Sequence, residues 1–332
     1  MQSFFIPSIP AMRRCLELAS LGRGHVGNAP LVGSVLVRDE AIIAEGYYEG
    51  FGKLHAERSL LQKFDQKISS EDVLYVNLEP CCHHGKTPPC TDILLERGVK
   101  NVVCGMVDPD TRVAGKGIEI LRAHGVNVIC PFLHSQCAYL NRGFISVRTR
   151  LRPWITLKRA QTRDGRIANP DGSKMKITDE TQDALAHKHL RAKHDAILVG
   201  VNTILTDNPQ LDTRFIQNNS LVYRIILDPH FKIPESANVV SPSLASRTII
   251  VTANILEELQ AKKAALTQRG VRILELPFDG QIFDWQALFN ALMTPNDEYH
   301  GITSILVEGG PKTWELFSRS GYRDEEVVLV GN

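Results

Sequence analysis

Short apolar runs alternate along the chain with stretches whose apolar positions recur at helical spacing. Met12, Cys15, Leu16 and Ala19 predict a helix from about Ala11 to Leu21, and the segment from Gly22 to Asn28 stops it. Leu31 to Val37 and Ala41 to Ala44 are apolar runs separated by Arg38-Asp39-Glu40, which predicts a β-hairpin. Residues 55–64 read as a helix, and Val73-Leu74-Tyr75-Val76 as a buried strand. A cysteine-rich loop follows, then a helix through Asp92 to Arg97 closed by Gly98. A strand Asn101 to Gly105, a helix around Ile118 to Ala123 ended by Gly125, and a strand Val126 to Ile129 complete this half. Alternation of this kind predicts a layered α/β domain.

A polar stretch from Asn141 to Arg152, ending at Pro153, marks the boundary of that series. A second series opens with the strand Trp154 to Leu157. It continues through a helix near 179–192 and strands at Ala196 to Val199, Tyr223 to Leu227, Thr248 to Val251 and Val271 to Leu276. A helix near 284–293 and a strand Ile305 to Val307 lead into Glu308-Gly309-Gly310. The reading is two α/β domains, 1–148 and 152–332, with no internal repeat. A length of 332 residues agrees, since single cores rarely grow so large.

Composition narrows the partners. The 38 basic and 37 acidic side chains nearly cancel, which disfavours nucleic acid as the main partner but allows a local pocket for one phosphate. The N-terminus lacks the apolar core of a signal peptide, and no run reaches the roughly 20 apolar residues of a membrane span. A cytoplasmic enzyme acting on small molecules, with a homo-oligomer allowed, is the expectation. Of seven cysteines, Cys81, Cys82 and Cys90 crowd into one loop, which favours metal ligation over a disulfide framework.

The chemistry of that loop joins to a distant dyad. His55-Ala56-Glu57 opens a predicted helix, Pro80-Cys81 comes 23 residues after Glu57, and eight residues separate Cys81 from Cys90. One imidazole and two thiolates fill three positions of a tetrahedral zinc and leave the fourth open to water, whose pKa the metal lowers. Glu57, two places from the histidine, is suited to take the water proton and deliver it to a ring nitrogen and a departing amine. This is the H-x-E … P-C arrangement of zinc base deaminases, although their usual second half is C-x-x-C. Chemistry alone does not choose between Cys81 and Cys82, and His83 or His84 compete as ligands. A closed structural zinc knot is the plainer alternative.

The run Glu79-Pro80-Cys81-Cys82-His83-His84-Gly85-Lys86-Thr87-Pro88-Pro89-Cys90 resembles the signature of the bifunctional riboflavin-biosynthesis deaminase–reductase family. The resemblance implies His55, Cys81 and Cys90 as zinc ligands, Glu57 as the proton shuttle, and Lys86 and Asp108 as substrate contacts. Val107-Asp108-Pro109-Asp110 and Val113-Ala114-Gly115-Lys116-Gly117 resemble a further family stretch. Cys82 stands where the family has serine. Ala29 replaces a substrate-binding asparagine, Tyr48 a frequent histidine, and Asp110 an asparagine.

In the second half, Thr156-Leu157-Lys158 with Asp164-Gly165-Arg166, Leu198-Val199-Gly200 with Thr203, Asp207-Asn208-Pro209 with Leu211 and Arg214, and Val307-Glu308-Gly309-Gly310 resemble the family's reductase segments in order. The resemblance implies a cytidine-deaminase-like three-layer domain followed by a dihydrofolate-reductase-like domain that uses NADPH. Lys158, Asp207 and Glu308 are suited to orienting a ribosyl chain, and Arg191 and Arg214 to gripping a phosphate. Leu211 is a matching substrate-site position. Gly200, Gly309 and Gly310, with Thr203, are expected to let a dinucleotide approach the backbone, without any G-x-G-x-x-G. The family's S-x-W-I-T segment is altered at Ser173 to Thr178, and family members continue past Asn332, so a truncated sheet is expected. The implied function is deamination of 2,5-diamino-6-ribosylamino-4(3H)-pyrimidinone 5′-phosphate followed by reduction of its ribosyl chain. An active deaminase with a degenerate reductase half is the alternative.

Overall fold

The computed structural model describes residues 5–84, 88–111, 113–166, 177–213, 221–296 and 298–331. They fall into two compact units, residues 1–150 with 297–300, and residues 151–296 with 301–332.

The first unit begins with helix α1 (Ile9–Ser20), capped by the Ser8 hydroxyl, which accepts from the Ala11 amide. The hairpin is formed by β1 (Gly33–Arg38) and β2 (Ala41–Tyr47). Helix α2 (Ala56–Lys63), strand β3 (Val73–Val76), helix α3 (Cys90–Glu96) and strand β4 (Asn101–Cys104) follow. Helix α4 (Lys116–Ala123), strand β5 (Asn127–Ile129), helix α5 (His134–Leu140) and helix α6 (Arg142–Arg150) complete it. The sheet order is β2-β1-β3-β4-β5, with β1 antiparallel to β2 and β3, and β3, β4 and β5 parallel.

Alternation along the strands divides the core into two layers. Leu36, Leu74 and Val76 pack with Leu60, Leu94 and Leu121 from α2, α3 and α4. Val35, Val73 and Tyr75 pack with Met12 and Cys15 from α1, Cys137 from α5 and Phe144 from α6. Helix α2 lies so close on β2 that a Cβ at Gly46 would come within 2.6 Å of the Ala56 carbonyl.

In the second unit, β6 (Trp154–Gln161), α7 (Glu180–His189), β7 (Ala196–Gly200) and α8 (Val201–Asp207) lead to β8 (Tyr223–Leu227) and β9 (Thr248–Thr252). Then come α9 (Gln260–Gln268), β10 (Arg272–Glu275), α10 (Trp285–Met293), β11 (Ser304–Val307), α11 (Pro311–Arg319) and β12 (Glu325–Val330). The order β10-β9-β8-β7-β11-β6-β12 is parallel at every pairing. Its strands are accordingly apolar on both faces: Ile197, Val199, Ile226 and Ile250 join one cluster, while Leu198, Ile225 and Ile249 alternate with them and are also buried.

The structure differs from the periodicity reading in several elements. Residues 142–150, read as part of a polar boundary, form helix α6, because Phe144 and Ser146 turn into the core together with Arg142, while Arg148 and Arg150 are not buried. Strand β6 runs on to Gln161 through half-buried Lys158 to Gln161. Helices α5, α8, α9 and α11 and strand β12 were not expected. No helix among the described residues is long and apolar enough to cross a membrane.

Phe144 is 5% exposed at the packing face of α6. Phe144→Ala is expected to destabilise the protein by about 3–5 kcal/mol, seen as an earlier urea unfolding transition. An unchanged midpoint would mean that α6 adds nothing to this core.

Candidate active sites

Three elements of the first unit converge on one point. His55 is the extended N-cap of α2 (φ −63°, ψ 158°), with a carbonyl that accepts from the Ser59 amide at 2.8 Å. Cys81 lies in the loop after β3, and Cys90 is the first residue of α3. His55 Nδ1 stands 3.4 Å from Cys81 Sγ and 3.4 Å from Cys90 Sγ. The Cys90 amide donates to Cys81 Sγ at 3.3 Å, placing the N-terminus of α3 against that sulfur. Among the described residues this is the set of three metal-donor side chains whose ligand atoms all lie within 4.8 Å of one another. Cys82, His83 and His84 are outside it.

The donor set fits zinc. Sulfur at about 2.3 Å and nitrogen at about 2.0–2.1 Å from a tetrahedral ion stand about 3.5 Å apart, close to the separations here. Glu57 is buried (3% exposed) in the first turn of α2 and outside the donor set. Burial, with the negative Cys81 nearby, pushes its carboxyl up to about 7. Hydrogen bonds with Cys90 and His55 hold the Cys81 thiol well below the ordinary thiol range.

His55, Glu57 and Cys81 line a cavity of about 430 Å³. Ala29, Tyr48, Phe51, Lys53, His83, Asp108, Asp110, Phe144 and Arg148 form much of its wall. The Tyr48 ring meets the His55 ring edge-on at 5.5 Å, and the Arg148 guanidinium lies over the Phe144 ring at 5.3 Å. Burial raises the Asp108 carboxyl. Three of the departures named from the sequence, Ala29, Tyr48 and Asp110, therefore sit in this wall, and Cys82 does not. Arg148 was not singled out, and its place in a polar stretch carried no signal. Lys86 and Arg214 lie outside the described residues.

In the second unit, Gly200, Thr203, Glu308, Gly309 and Gly310 gather at the carboxyl ends of the adjacent parallel strands β7 and β11. The Glu308 amide donates to Leu198 O at 3.0 Å. The three glycines differ. A Cβ at Gly309 would meet Thr313 Cβ at 2.3 Å, so that glycine is required by packing, whereas one at Gly200 would meet only Thr313 Oγ1, at 2.7 Å. At Gly310 the nearest atom is Thr203 Oγ1 at 4.0 Å. Gly200 and Gly310 are the N-caps of α8 and α11, and neither supplies a side chain to the helix. Two helix N-termini at neighbouring strand ends suit the diphosphate of a dinucleotide.

Arg191, expected to face a phosphate, holds Glu308. Its Nε donates to Oε1 at 2.9 Å and Nη2 to Oε2 at 2.6 Å, while Nη1 donates to Asp212 O at 3.0 Å and meets His187 Nε2 at 3.1 Å. Burial alone would raise the Glu308 carboxyl, but Arg191 overrides it and holds it at about 2. Lys158 is half-buried on β6 and adds to that pull. Leu211 is buried with φ 49°, and Asp207 ends α8 at an exposed position.

Residues 153–331 match the family described as RibD C-terminal domain, and residues 8–106 match the cytidine and deoxycytidylate deaminase zinc-binding region. The riboflavin biosynthesis protein RibD of Aquifex aeolicus is 38% identical over 319 residues, covering 96% of this chain and 85% of that protein. The chain belongs to the RibD family. The RibD of Escherichia coli strain K12 is 32% identical over 96% of this chain and 86% of its own length. Among solved structures, Acinetobacter baumannii RibD superposes with a TM-score of 0.79 at 30% identity, covering 97% of this chain and 85% of that one. A Thermotoga maritima structure described as a diaminohydroxyphosphoribosylaminopyrimidine deaminase/5-amino-6-(5-phosphoribosylamino)uracil reductase gives 0.78 at 34% identity, with coverage of 97% and 85%. The first unit is thus cytidine-deaminase-like and the second a RibD reductase-type domain of dihydrofolate-reductase-like fold.

The Arg191–Glu308 pair, with side chains 15% and 8% exposed, gives a stability prediction. Glu308→Ala leaves a buried guanidinium without its counter-charge and is expected to cost about 3–5 kcal/mol near neutral pH. The carboxyl is lowered from 4.5 to about 2 on folding, so its contribution is full above about pH 4.5 and fades toward pH 2. The gap in urea midpoint between wild type and variant should narrow on going from about pH 5 to about pH 3. A gap independent of pH would show that the ion pair is not its source.

Proposed function

We propose that this RibD family member is a two-step riboflavin-pathway enzyme. Its first unit deaminates 2,5-diamino-6-ribosylamino-4(3H)-pyrimidinone 5′-phosphate, and its second reduces the ribosyl chain of the product with NADPH. The observation that carries the first step is the His55, Cys81 and Cys90 donor set, with His55, Cys81 and buried Glu57 opening on one cavity. Three donors leave a tetrahedral ion one open position, unlike a closed structural site. Bound there, zinc supplies the Lewis acidity that lowers the pKa of a water.

The remaining work of deamination falls to the protein. A water oxygen forms a bond to the pyrimidine carbon bearing the 2-amino group, the carbon–nitrogen bond breaks, and ammonia leaves. Glu57 carries the first proton of the attacking water to the ring nitrogen and then the second, taken from the new hydroxyl, to the leaving amine. Burial that raises its carboxyl toward neutrality suits a group that must both take and give a proton. Asp108 and Lys86 are assigned to the substrate.

For the second step, bound NADPH would supply a hydride to C1′ of the ring-opened ribosylamine and leave as NADP⁺, while the nitrogen of the reduced C1′=N bond takes a proton. Gly200, Thr203, Gly309 and Gly310 are assigned to the cofactor, with Gly310 offering the open approach. Lys158, Asp207, Leu211 and Arg214 are assigned to the substrate, with Arg191 acting together with the Glu308 carboxylate it holds. The gathered strand ends and two helix N-termini support this reading over a degenerate second half.

Metal analysis should find about one zinc per chain. Cys82→Ser should keep both zinc and ammonia release, whereas Cys81→Ser should lose both; the reverse pattern sinks the ligand assignment. Glu57→Gln should retain zinc and slow ammonia release by about 10²–10⁴-fold. Near-normal release would remove Glu57 from the mechanism.

The second unit is tested with the deaminated ribosylaminouracil phosphate and NADPH absorbance. Oxidation is expected in the wild type and should fall sharply in Asp207→Asn. No oxidation and no NADPH binding would favour the deaminase-only alternative.

A further inference from the structure

Glu79 takes no part in the chemistry above, yet its carboxylate is buried (3% exposed) and bonded on both oxygens. Oε2 accepts from the amides of Asp108 at 3.1 Å and Gly115 at 2.9 Å. Oε1 accepts from Gly117 at 2.8 Å and Ile118 at 3.3 Å. Helix α4 begins after Gly115, whose φ of 81° favours glycine and which has no side chain to cap the helix. The first-turn amides of α4 are satisfied instead by Glu79 from a different element, and the negative charge lies favourably against the helix dipole. The approach is close: a Cβ at Gly117 would come within 2.1 Å of the Pro80 carbonyl. The backbone of Glu79-Pro80 continues directly into Cys81. The other end of the clamped segment is Asp108, whose carboxylate lines the cavity and accepts from the Asp110 amide at 2.8 Å.

We propose that Glu79 is a positioning residue that locks Asp108 and the start of α4 at 115–118 to the chain carrying Cys81, holding Asp108 in register with the metal-donor set. The inference rests on the deaminase reading of that site. An acceptor-only group is required, because a carboxamide would turn its NH₂ against amide donors that now bind oxygen. Loosening the clamp changes how Asp108 is presented to substrate and leaves the donor set and Glu57 in place. The effect therefore falls more on KM than on kcat.

The test compares Glu79→Gln with the wild type in zinc content, amide hydrogen exchange across 108–118, and steady-state ammonia release from the pyrimidine phosphate. The variant should keep wild-type zinc. Its Asp108, Gly115 and Gly117 amides should exchange about tenfold faster or more, the worth of a hydrogen bond to a charged group. KM should rise by a similar factor, with a smaller change in kcat. Loss of zinc or unchanged exchange would overturn the proposal. So would faster exchange with unchanged KM, which would leave Glu79 as a structural cap alone. If the variant does not fold, wild-type exchange decides: protection at Gly115 and Gly117 supports the clamp, and exchange at the rate of an unbonded amide overturns it. A wild type that releases no ammonia counts against the deaminase reading, while the exchange and zinc measurements still judge Glu79.

Discussion

Two thiols and an imidazole held within 4.8 Å of one another impose the central constraint on the first unit. Neighbouring sulfurs resist ionising together. Without a cation, Cys81 is drawn down while Cys90, buried beside it, is pushed well up. Glu57 feels the same crowding through burial and the Cys81 charge. A divalent cation there would relieve this conflict, since both sulfurs could then carry charge, and metal capture would be coupled to proton release. The scaffold prevents these groups from drifting apart. α2 is pressed on β2 at Gly46, and the α3 N-terminus bonds to Cys81 Sγ.

Much of this was legible in the sequence because residue type and spacing carried it. Strand β3 was read with its observed bounds, the His55-x-Glu57 dyad and the cysteine-rich loop stood out by their chemistry, and the family resemblance implied Cys81 and Cys90 within that loop. Spacing could not choose between Cys81 and Cys82, because only the path of the loop decides which sulfur faces the imidazole. Helix α6 was missed because Phe144 and Ser146 are its few inward side chains outside Arg142 and Gly143, too sparse a signal among arginines. Glu79 did leave a trace, as an acidic residue in Val76-Asn77-Leu78-Glu79-Pro80-Cys81 at the end of a buried strand. Its partners are amides some 29 to 39 residues away, and backbone donors have no sequence signature.

The second unit solves a different problem. An all-parallel sheet buries both faces, so the places left for polar chemistry are the strand ends. Glu308, Gly309 and Gly310 follow β11, and Gly200 ends β7, which brings segments more than a hundred residues apart to one edge. A carboxylate at such an edge, largely removed from water, needs a fixed counter-charge. Arg191 meets that need, which is why a guanidinium that reads as a phosphate clamp in sequence is found on Glu308.

The close contact at Gly117 bears on how this protein can evolve. Any side chain there would press on the Pro80 carbonyl, and Pro80 precedes Cys81. Relief would come by shifting the α4 N-terminus or the loop that carries a metal donor. A position 36 residues from Cys81 in sequence should therefore share the substitution pattern of the proposed metal donors, tolerating almost nothing. Deep mutational profiles would group it with the catalytic centre on covariance alone, and the reason would be one ångström-scale contact between two backbones.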